Sequence, residues 1–443
     1  MSRRVVITGV GPISGLGIGI DANWTAARQG DCAIQPIAAF DARGFDCRIA
    51  AEVPDFKINQ FVPKHYRKAT KVMARDIELA VAAADQAARD AGLNTPGVAA
   101  EGEERSYDPA RVGCHIGADL IAADASELTA ALTVAGTTAD GPEGPFDMHQ
   151  WGREGMNHLT PLWLLKYLPN MLACHVTITH DLRGPSNTIT CNEASAGLSI
   201  GESLRVIQRN NADACFCGGG SSKVNLAAYF RQEMLGRLNA TSNDAPAGAV
   251  RAFDAGAAGT VIGEGAGIVV LEAVETFEQR PDGRAYAEIA GFGAAQSFNP
   301  RTKNLTPEED GYGMQLAIKR ALKEAGVEPA AVDAIVAFGI GHAAWDSAEA
   351  AAYRAIFGGK LPAVVSFKSV LGHCGAASGG IDLCLAARMV HEQTLPAVLN
   401  RDAPLDGFNP TAPAAAAELN YVLCLSTGLG GQNAAVLIKR YQA

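Results

Sequence analysis

The chain contains no uninterrupted apolar run of about 18 residues, the minimum for a helix that spans a bilayer, so no membrane span is expected. It also lacks blocks of like charge. Lys and Arg number 37 against 47 Asp and Glu, a net −10 spread along the chain, which argues against nucleic acid or an anionic membrane as the main partner. Charged residues are few at 19%, whereas apolar types reach 48%, so a disordered or coiled-coil chain is excluded. The cysteines carry no paired metal-ligand spacing, and no metal or other cofactor is expected. Most sit in apolar segments, as Cys174 does in MLACHVTI and Cys384 in IDLCLAAR, and read as small core residues of a reducing compartment. Cys215 and Cys217 form C-x-C in a strand-like run and share one face, which points to packing rather than redox chemistry. The opening MSRRVVITGVGPISGLGIGI places two arginines before an apolar stretch, as a signal peptide does. Its glycines and proline fit a continuous apolar helix poorly, and no small-residue cleavage site follows, so a cytoplasmic location is expected.

What is present is an alternation of strand and helix signals over 443 residues, enough for about three domains or for one large duplicated core. Arg4-Val5-Val6-Ile7-Thr8 is a β-branched strand running into Gly9, Gly11, Gly15 and Gly17. Helix signals follow in DANWTAARQG, with Asp21 as N-cap. Residues 70–92 have apolar positions at helical spacing and stop at Gly92, and ARVGCHIGA then reads as a strand. The same unit recurs about 220 residues later as a helix ending at Gly326 and a strand in AVDAIVAFGIG, which indicates an internal duplication. The expected class is α/β with mixed, largely parallel sheets, divided into an N-terminal half over 1–260 and a C-terminal half over 261–443. The Gly-, Pro- and polar-rich stretch ADGPEGPFDMHQWGREG reads as an excursion over the surface.

Six segments taken together, RRVVITGVGPIS, MARDIELAVAAADQAARDAGL, NMLACHVTITHDLRGPSNTIT, RAFDAGAAGTVIGEGAGIVVLE, VVSFKSVLGHCGAASGGID and STGLGGQN, resemble the β-ketoacyl synthases, the thiolase-fold condensing enzymes of fatty acid and polyketide synthesis. The resemblance implies two thiolase-like halves packed in a layered αβαβα body. It further implies a cysteine nucleophile at a strand-to-helix elbow, two histidines that help decarboxylate malonyl units, and a lysine. A thiolate suits a helix N-terminus, where the dipole stabilises it, and imidazoles polarise the thioester carbonyl as carbon dioxide leaves.

Set against that pattern, the elbow Thr188-Ile189-Thr190-Cys191-Asn192-Glu193-Ala194-Ser195 puts Glu193 at the nucleophile's position, counted without a gap from both flanks. Cys191, two residues earlier at the expected end of a buried strand, is the alternative nucleophile and is read first as core packing. Ungapped matching on Gly339, Asp346 and Glu349 places Phe338 at the first histidine, and His342 is read as a loop residue without catalytic duty. Lys368 and His373 match the family's lysine and second histidine, and Glu349 matches the acid that pairs with the lysine; a buried pair of this kind also has a purely structural use. Leu429 stands where the family places a gating phenylalanine, in the terminal loop with Thr427. Ala257 departs from a common arginine, and the glycines from Gly263 to Gly267 are expected to serve close packing between the halves.

The resemblance then implies a chain resembling the chain-length factors of type II polyketide systems. Such a chain would not condense alone but would pair with a catalytic ketosynthase, or with itself as a homodimer. It would also meet an acyl carrier protein and shape the acyl tunnel, with NMLACHVTITHDL near the subunit interface. Glu193 closes the site on this reading and could bridge to His373 or Lys368. The alternatives are a malonyl-carrier decarboxylase that supplies primer, a divergent condensing enzyme using Cys191, and a scaffold that binds no acyl chain.

Overall fold

The sheet is parallel at its two ends and antiparallel at its centre, and this arrangement exposes two copies of one topology. A computed structural model describes residues 3–99, 102–136, 144–280 and 283–442. The first half contributes strands β1 (Val5–Ser14), β2 (Val112–Ala118), β3 (Ser186–Ile189), β4 (Ala214–Ser222) and β5 (Ile262–Ala273). The second contributes β6 (Ala287–Gln296), β7 (Ala334–Val336), β8 (Ala363–Val365), β9 (Tyr421–Thr427) and β10 (Gln432–Lys439). In space the first set runs β1-β5-β4-β2-β3 and the second β6-β10-β9-β7-β8, the same permutation. Pair directions agree as well. β1/β5 and β5/β4 are antiparallel while β4/β2 and β2/β3 are parallel, and β6/β10, β10/β9, β9/β7 and β7/β8 repeat the series. Strands β1 and β6 meet through Val6 opposite Glu288 and Ile7 opposite Ala287. The expected α/β class and the duplication both hold.

The helices repeat in the same way. The main ones are α1 (Arg75–Asp90), α2 (Met171–His180), α3 (Ser195–Gln208), α4 (Tyr312–Ala325), α5 (Ala343–Phe357) and α6 (Ser378–Glu392). Helix α1 buries an alanine-rich face on β1, and only glycine on the strand allows the approach: a Cβ on Gly11 would lie 2.0 Å from the carbonyl oxygen of Ala83. In the other half a Cβ on Gly293 of β6 would lie 2.0 Å from the carbonyl oxygen of Ala317 in α4, the same contact made by the second copy. Helices α3 and α6 lie between the halves. The first packs on β2 and β4 and also reaches β6 and β10; the second packs on β1, β4 and β5 and also on β9. The result is the expected helix, sheet, helix, sheet, helix layering. Gly267 of β5 serves it, since a Cβ there would lie 2.1 Å from the backbone nitrogen of Ile381 in α6.

Several local expectations shift. The glycine series does not end the first strand, because Gly9 and Gly11 lie within β1 and are needed there for α1. Gly19, not Asp21, is the N-cap of the helix Ile20–Gln29, and Asp21 lies in its first turn. Residues 70–92 do not form one helix, since Lys64–Val72 is a 3₁₀ segment and Ala74 is extended before α1 begins. Cys215, Cys217 and Cys384 are fully buried, but Cys174 is half-buried on α2, a helix that also leaves Ile178 60% exposed. Of the polar excursion, residues 139–143 lie outside the described residues, and the rest carries a short helix, Met148–Arg153, on the surface. Among the described residues no helix is long and apolar enough to cross a membrane.

Candidate active site

The site lies at the head of α3, where the chain leaves the sheet. Strand β3 ends at Ile189, and a 3₁₀ turn over Asn192–Ala194 leads into the helix. Asn192 adopts φ 47°, a left-handed conformation that asparagine tolerates better than most residues. The Oγ of Ser195 accepts from the Cys191 N–H at 2.8 Å and donates to the Asn192 carbonyl at 2.6 Å, which fixes the turn. These bonds turn the Glu193 side chain inward, and its residue is 3% exposed.

Glu193 is fully engaged. Its Oε1 accepts from Arg237 Nη2 and lies 3.3 Å from His373 Nε2, and its Oε2 accepts the Leu429 N–H at 2.9 Å. Burial alone would raise the pKa of this carboxyl. The charge of Arg237, with the hydrogen bonds of His373 and Arg237, overcomes that penalty and holds the group well below the usual carboxylate range. His373 moves the other way: burial lowers its pKa, with Arg237 and Lys368 adding to the effect against the pull of Glu193, so the ring is neutral near pH 7. Facing an acceptor-only carboxylate, Nε2 carries the hydrogen, which leaves Nδ1 to accept from Ser378 Oγ at 3.4 Å.

The expected bridge from Glu193 therefore forms to His373 and not to Lys368. The expected pairing of Lys368 with Glu349 is also replaced. Lys368, 0% exposed, pairs with Asp382 of α6 and donates to the Ala337 carbonyl at 3.2 Å. Glu349 instead accepts the N–H groups of Phe338 and Gly339 at 2.8 and 2.9 Å and the Tyr353 hydroxyl at 2.5 Å. In that role it shapes the loop that presents Phe338. Burial raises the pKa of Glu349, against those bonds and the more distant charge of Lys368.

Phe338 is buried and meets His373 edge to face, with ring centroids 5.4 Å apart and planes at 81°. With Ile340 and Trp345 it forms a small apolar cluster on which Leu429 packs. The site wall at this point offers no proton donor or acceptor. Thr427, at the end of β9, is buried behind the loop, and Leu429 also accepts from Asn192 Nδ2 at 2.8 Å.

Cys191 is not at the end of a buried strand. Among the described residues strand β3 is an edge strand paired only with β2, its first two residues are exposed, and the cysteine beyond it is half-buried. Burial raises its thiol pKa, opposite to what an activated nucleophile needs. His342, the backbone N-cap of α5, lies near enough to Arg237 that the guanidinium helps burial lower its pKa. The backbone bonds of its loop go to Asp346, which accepts from Ile340 and Gly341 at 3.1 Å.

Arg237 and Asp382 were not singled out from the sequence. Asp382 left a trace, because a lone acid in the apolar helical run GGIDLCLAA must find a buried partner. Arg237 left none. It stands in an irregular stretch 44 positions after Glu193, and only the packing of that stretch over the elbow brings the two together. Among the described residues no group of three or more His, Cys, Asp or Glu could hold a metal ion.

The model of the beta-ketoacyl synthase N-terminal domain matches residues 2–276 and that of the C-terminal domain residues 286–402. The 3-oxoacyl-[acyl-carrier-protein] synthase 2 of Vibrio harveyi is 31% identical over 99% of this chain and 99% of its own. Among solved structures, one described as the ishigamide ketosynthase/chain length factor superposes with a TM-score of 0.83 at 27% identity, covering all of both chains. A beta-ketoacyl synthase from Burkholderia phymatum gives 0.82 at 27% identity over 99% of this chain and all of the other. Two domain matches that together span most of the sequence, and one fold kept from end to end, make this chain a member of the beta-ketoacyl synthase family.

Proposed function

We propose that this protein is the non-condensing companion of a catalytic ketosynthase, similar in role to a chain-length factor, and that it shapes the tunnel for the growing acyl chain. One observation carries the reading: the side chain at the elbow is an ionised carboxylate locked to Arg237 where condensation needs a thiol. A carboxylate does not form the stable thioester on which elongation depends. Phe338 supports the same reading, since the apolar wall beside His373 cannot polarise a carbonyl. The relative described as a ketosynthase/chain length factor lends support from outside the chain.

The proposed partners are a ketosynthase, or a second copy of this chain, and an acyl carrier protein. The exposed outer edge of β3 and the face of α2 carrying Ile178 are the proposed subunit contact. For the carrier, the proposed dock is the segment Lys64–Val72, where Lys64, Arg67, Lys68 and Lys71 are exposed with no acid among them, in a chain of net charge −10. The boundary between halves is proposed after β5 rather than at residue 260, because β5 completes the first five-strand pattern. A malonyl-carrier decarboxylase ranks second, since the Glu193 anion would repel the malonyl carboxylate.

The test is elongation of carrier-bound acyl chains by the purified protein alone and together with an intact ketosynthase. Product is expected only in the mixture, with its length set by this chain. Elongation by the protein alone at ketosynthase rates, abolished by Cys191→Ala, would overturn the reading.

A further inference from the structure

The loop 428–431 joins β9 to β10, and every backbone N–H and carbonyl in it has a partner. In chain order its N–H groups donate to the Gln432 carbonyl, the Glu193 carboxylate, the Asn304 carbonyl and the Gly428 carbonyl. Its carbonyls are held as fully. That of Gly428 accepts from the Gly431 N–H, and that of Leu429 accepts from Asn192 Nδ2 at 2.8 Å. Gly430 accepts from Gln296 Nε2 at 2.5 Å and Asn304 Nδ2 at 2.9 Å, and Gly431 accepts from the Ser297 N–H and Asn433 Nδ2, both at 2.9 Å. A surface hairpin tip commonly gives several of these groups to water. Two of the bonds come from the elbow, and both end on Leu429. Asn192 takes its carbonyl, and Glu193 Oε2 takes its N–H at 2.9 Å. The two segments also touch, since a Cβ on Gly428 would lie 3.1 Å from Glu193 Oε2 and 3.2 Å from the Cys191 carbonyl oxygen. Both elbow side chains are themselves anchored, Glu193 by Arg237 at its other oxygen and Asn192 by the Ser195 hydroxyl on its own carbonyl. A bond to an ionised acceptor is about twice as strong as a neutral one.

The loop stands between two spaces. On one side Leu429, Asn192 and Glu193 line a cavity of about 150 Å³. On the other, Thr427, Gly428 and Gly431 line a hollow of about 10 Å³ with Met314 and Trp345, room for about one water. We propose that Asn192 and Glu193 form a latch on the terminal loop, so that Leu429 is a fixed wall between these spaces and not a moving gate. Glu193 then has two duties, filling the elbow and bolting the loop opposite it. Combined with the companion role, on which this consequence alone rests, a wall that does not move gives the acyl tunnel a fixed limit.

The latch is tested by amide hydrogen exchange of the full-length protein, read on peptides covering 424–434 and on α3. In the wild type the loop amides are expected to exchange at least about a hundredfold more slowly than an unstructured chain. Asn192→Gly keeps the left-handed turn and deletes the donor, and Asn192→Asp keeps the shape but sets an acceptor against the Leu429 carbonyl. Each is expected to speed loop exchange about tenfold or more while α3 stays protected. Glu193→Gln keeps an acceptor oxygen for the Leu429 N–H and is expected to stay near wild type, whereas Glu193→Ala/Arg237→Met removes the acceptor without stranding a charge and is expected to loosen the loop. Should the Asn192 variants lose α3 as well, this second pair decides. A wild-type loop that exchanges like unstructured chain overturns the latch, as does a loop equally protected with and without the elbow side chains. The elongation assay reads the companion role without reference to this loop, so the two readings fail separately.

Discussion

Two turns in this molecule share one backbone and nothing of their chemistry. In the first half Cys191-Asn192-Glu193-Ala194-Ser195 leads into α3, and in the second Cys374-Gly375-Ala376-Ala377-Ser378 leads into α6. In each, the cysteine N–H donates to the hydroxyl of the serine four residues on, at 2.8 and 3.0 Å, and a 3₁₀ triplet follows. In each, the next residue is left-handed, Asn192 at φ 47° and Gly375 at φ 52°. At the third position they part. Glu193 turns toward a cavity and an arginine, whereas Ala376 is packed between α6 and Gly219, its N–H held by Asp119 at 2.8 Å. The turn is thus a property of the duplicated fold, and the difference between the copies lies in the side chain at the third position.

The comparison breaks hardest if the first turn's residue is placed in the second. Ala376→Glu would bury a second carboxylate beside Asp119, whose one nearby cation, Lys223, is already paired with it, in a fully buried position, and is expected to cost more than about 4–5 kcal/mol and leave little folded protein, as read by circular dichroism and soluble yield. A folded, stable variant would show that the second turn is as open as the first.

Next in size is the lock on the first turn. Arg237→Met removes the cation from buried Glu193 and is expected to cost about 3–5 kcal/mol in urea unfolding, while the double variant Glu193→Ala/Arg237→Met recovers most of it. Additive losses would mean that the pair is not coupled.

Glu193→Cys asks whether the first turn still favours a thiolate. With the head of α3 and Arg237 beside it, the new thiol is expected about two pKa units below an ordinary cysteine, some 2.7 kcal/mol, read from the pH dependence of its alkylation. Condensation is not expected to return with it, because Phe338 still stands where the imidazole is needed. An ordinary thiol pKa would mean that the turn does not favour a thiolate.

The smallest effect is the slope of stability in acid. A carboxyl whose folded pKa is depressed gives stability that is present above its unfolded value and is lost as pH falls toward the folded one, since the unfolded chain takes the proton first. Wild-type protein should therefore lose about 1.4 kcal/mol per pH unit more than Glu193→Gln below about pH 4. Asp346 works oppositely: burial, followed by the neighbouring Glu349, pushes it up to about 7, so its contribution falls as pH rises from the ordinary carboxylate range toward that value. Chemical denaturation across pH separates the two windows, and equal acid slopes for wild type and Glu193→Gln would place the Glu193 charge elsewhere.

Much of this was legible in the residues. The helix ending at Gly92 and the one ending at Gly326 carry the duplication in their spacing, because helix stops and strand starts are local signals. The reading that sets Glu193 in place of sulfur and Phe338 in place of imidazole rests on counting between fixed flanks, and the structure puts both residues against His373. What misled was context. Cys191 read as buried because a strand's edge position leaves no mark in its own sequence, and Glu349 read as the partner of Lys368 because matching a motif says which residues are present, not which atoms meet.

The sequence by itself determined the α/β alternation, the two copies and the carboxylate at the elbow, since each depends on residue type and short-range order along the chain. Tertiary structure alone decided that Arg237 locks that carboxylate, that Asp382 takes Lys368 and that a cavity lies between the two turns, with the Glu193 side chain lining it. Those outcomes turn on distances between segments far apart in the chain. Coulomb and desolvation energies follow such distances in space and are blind to separation in sequence.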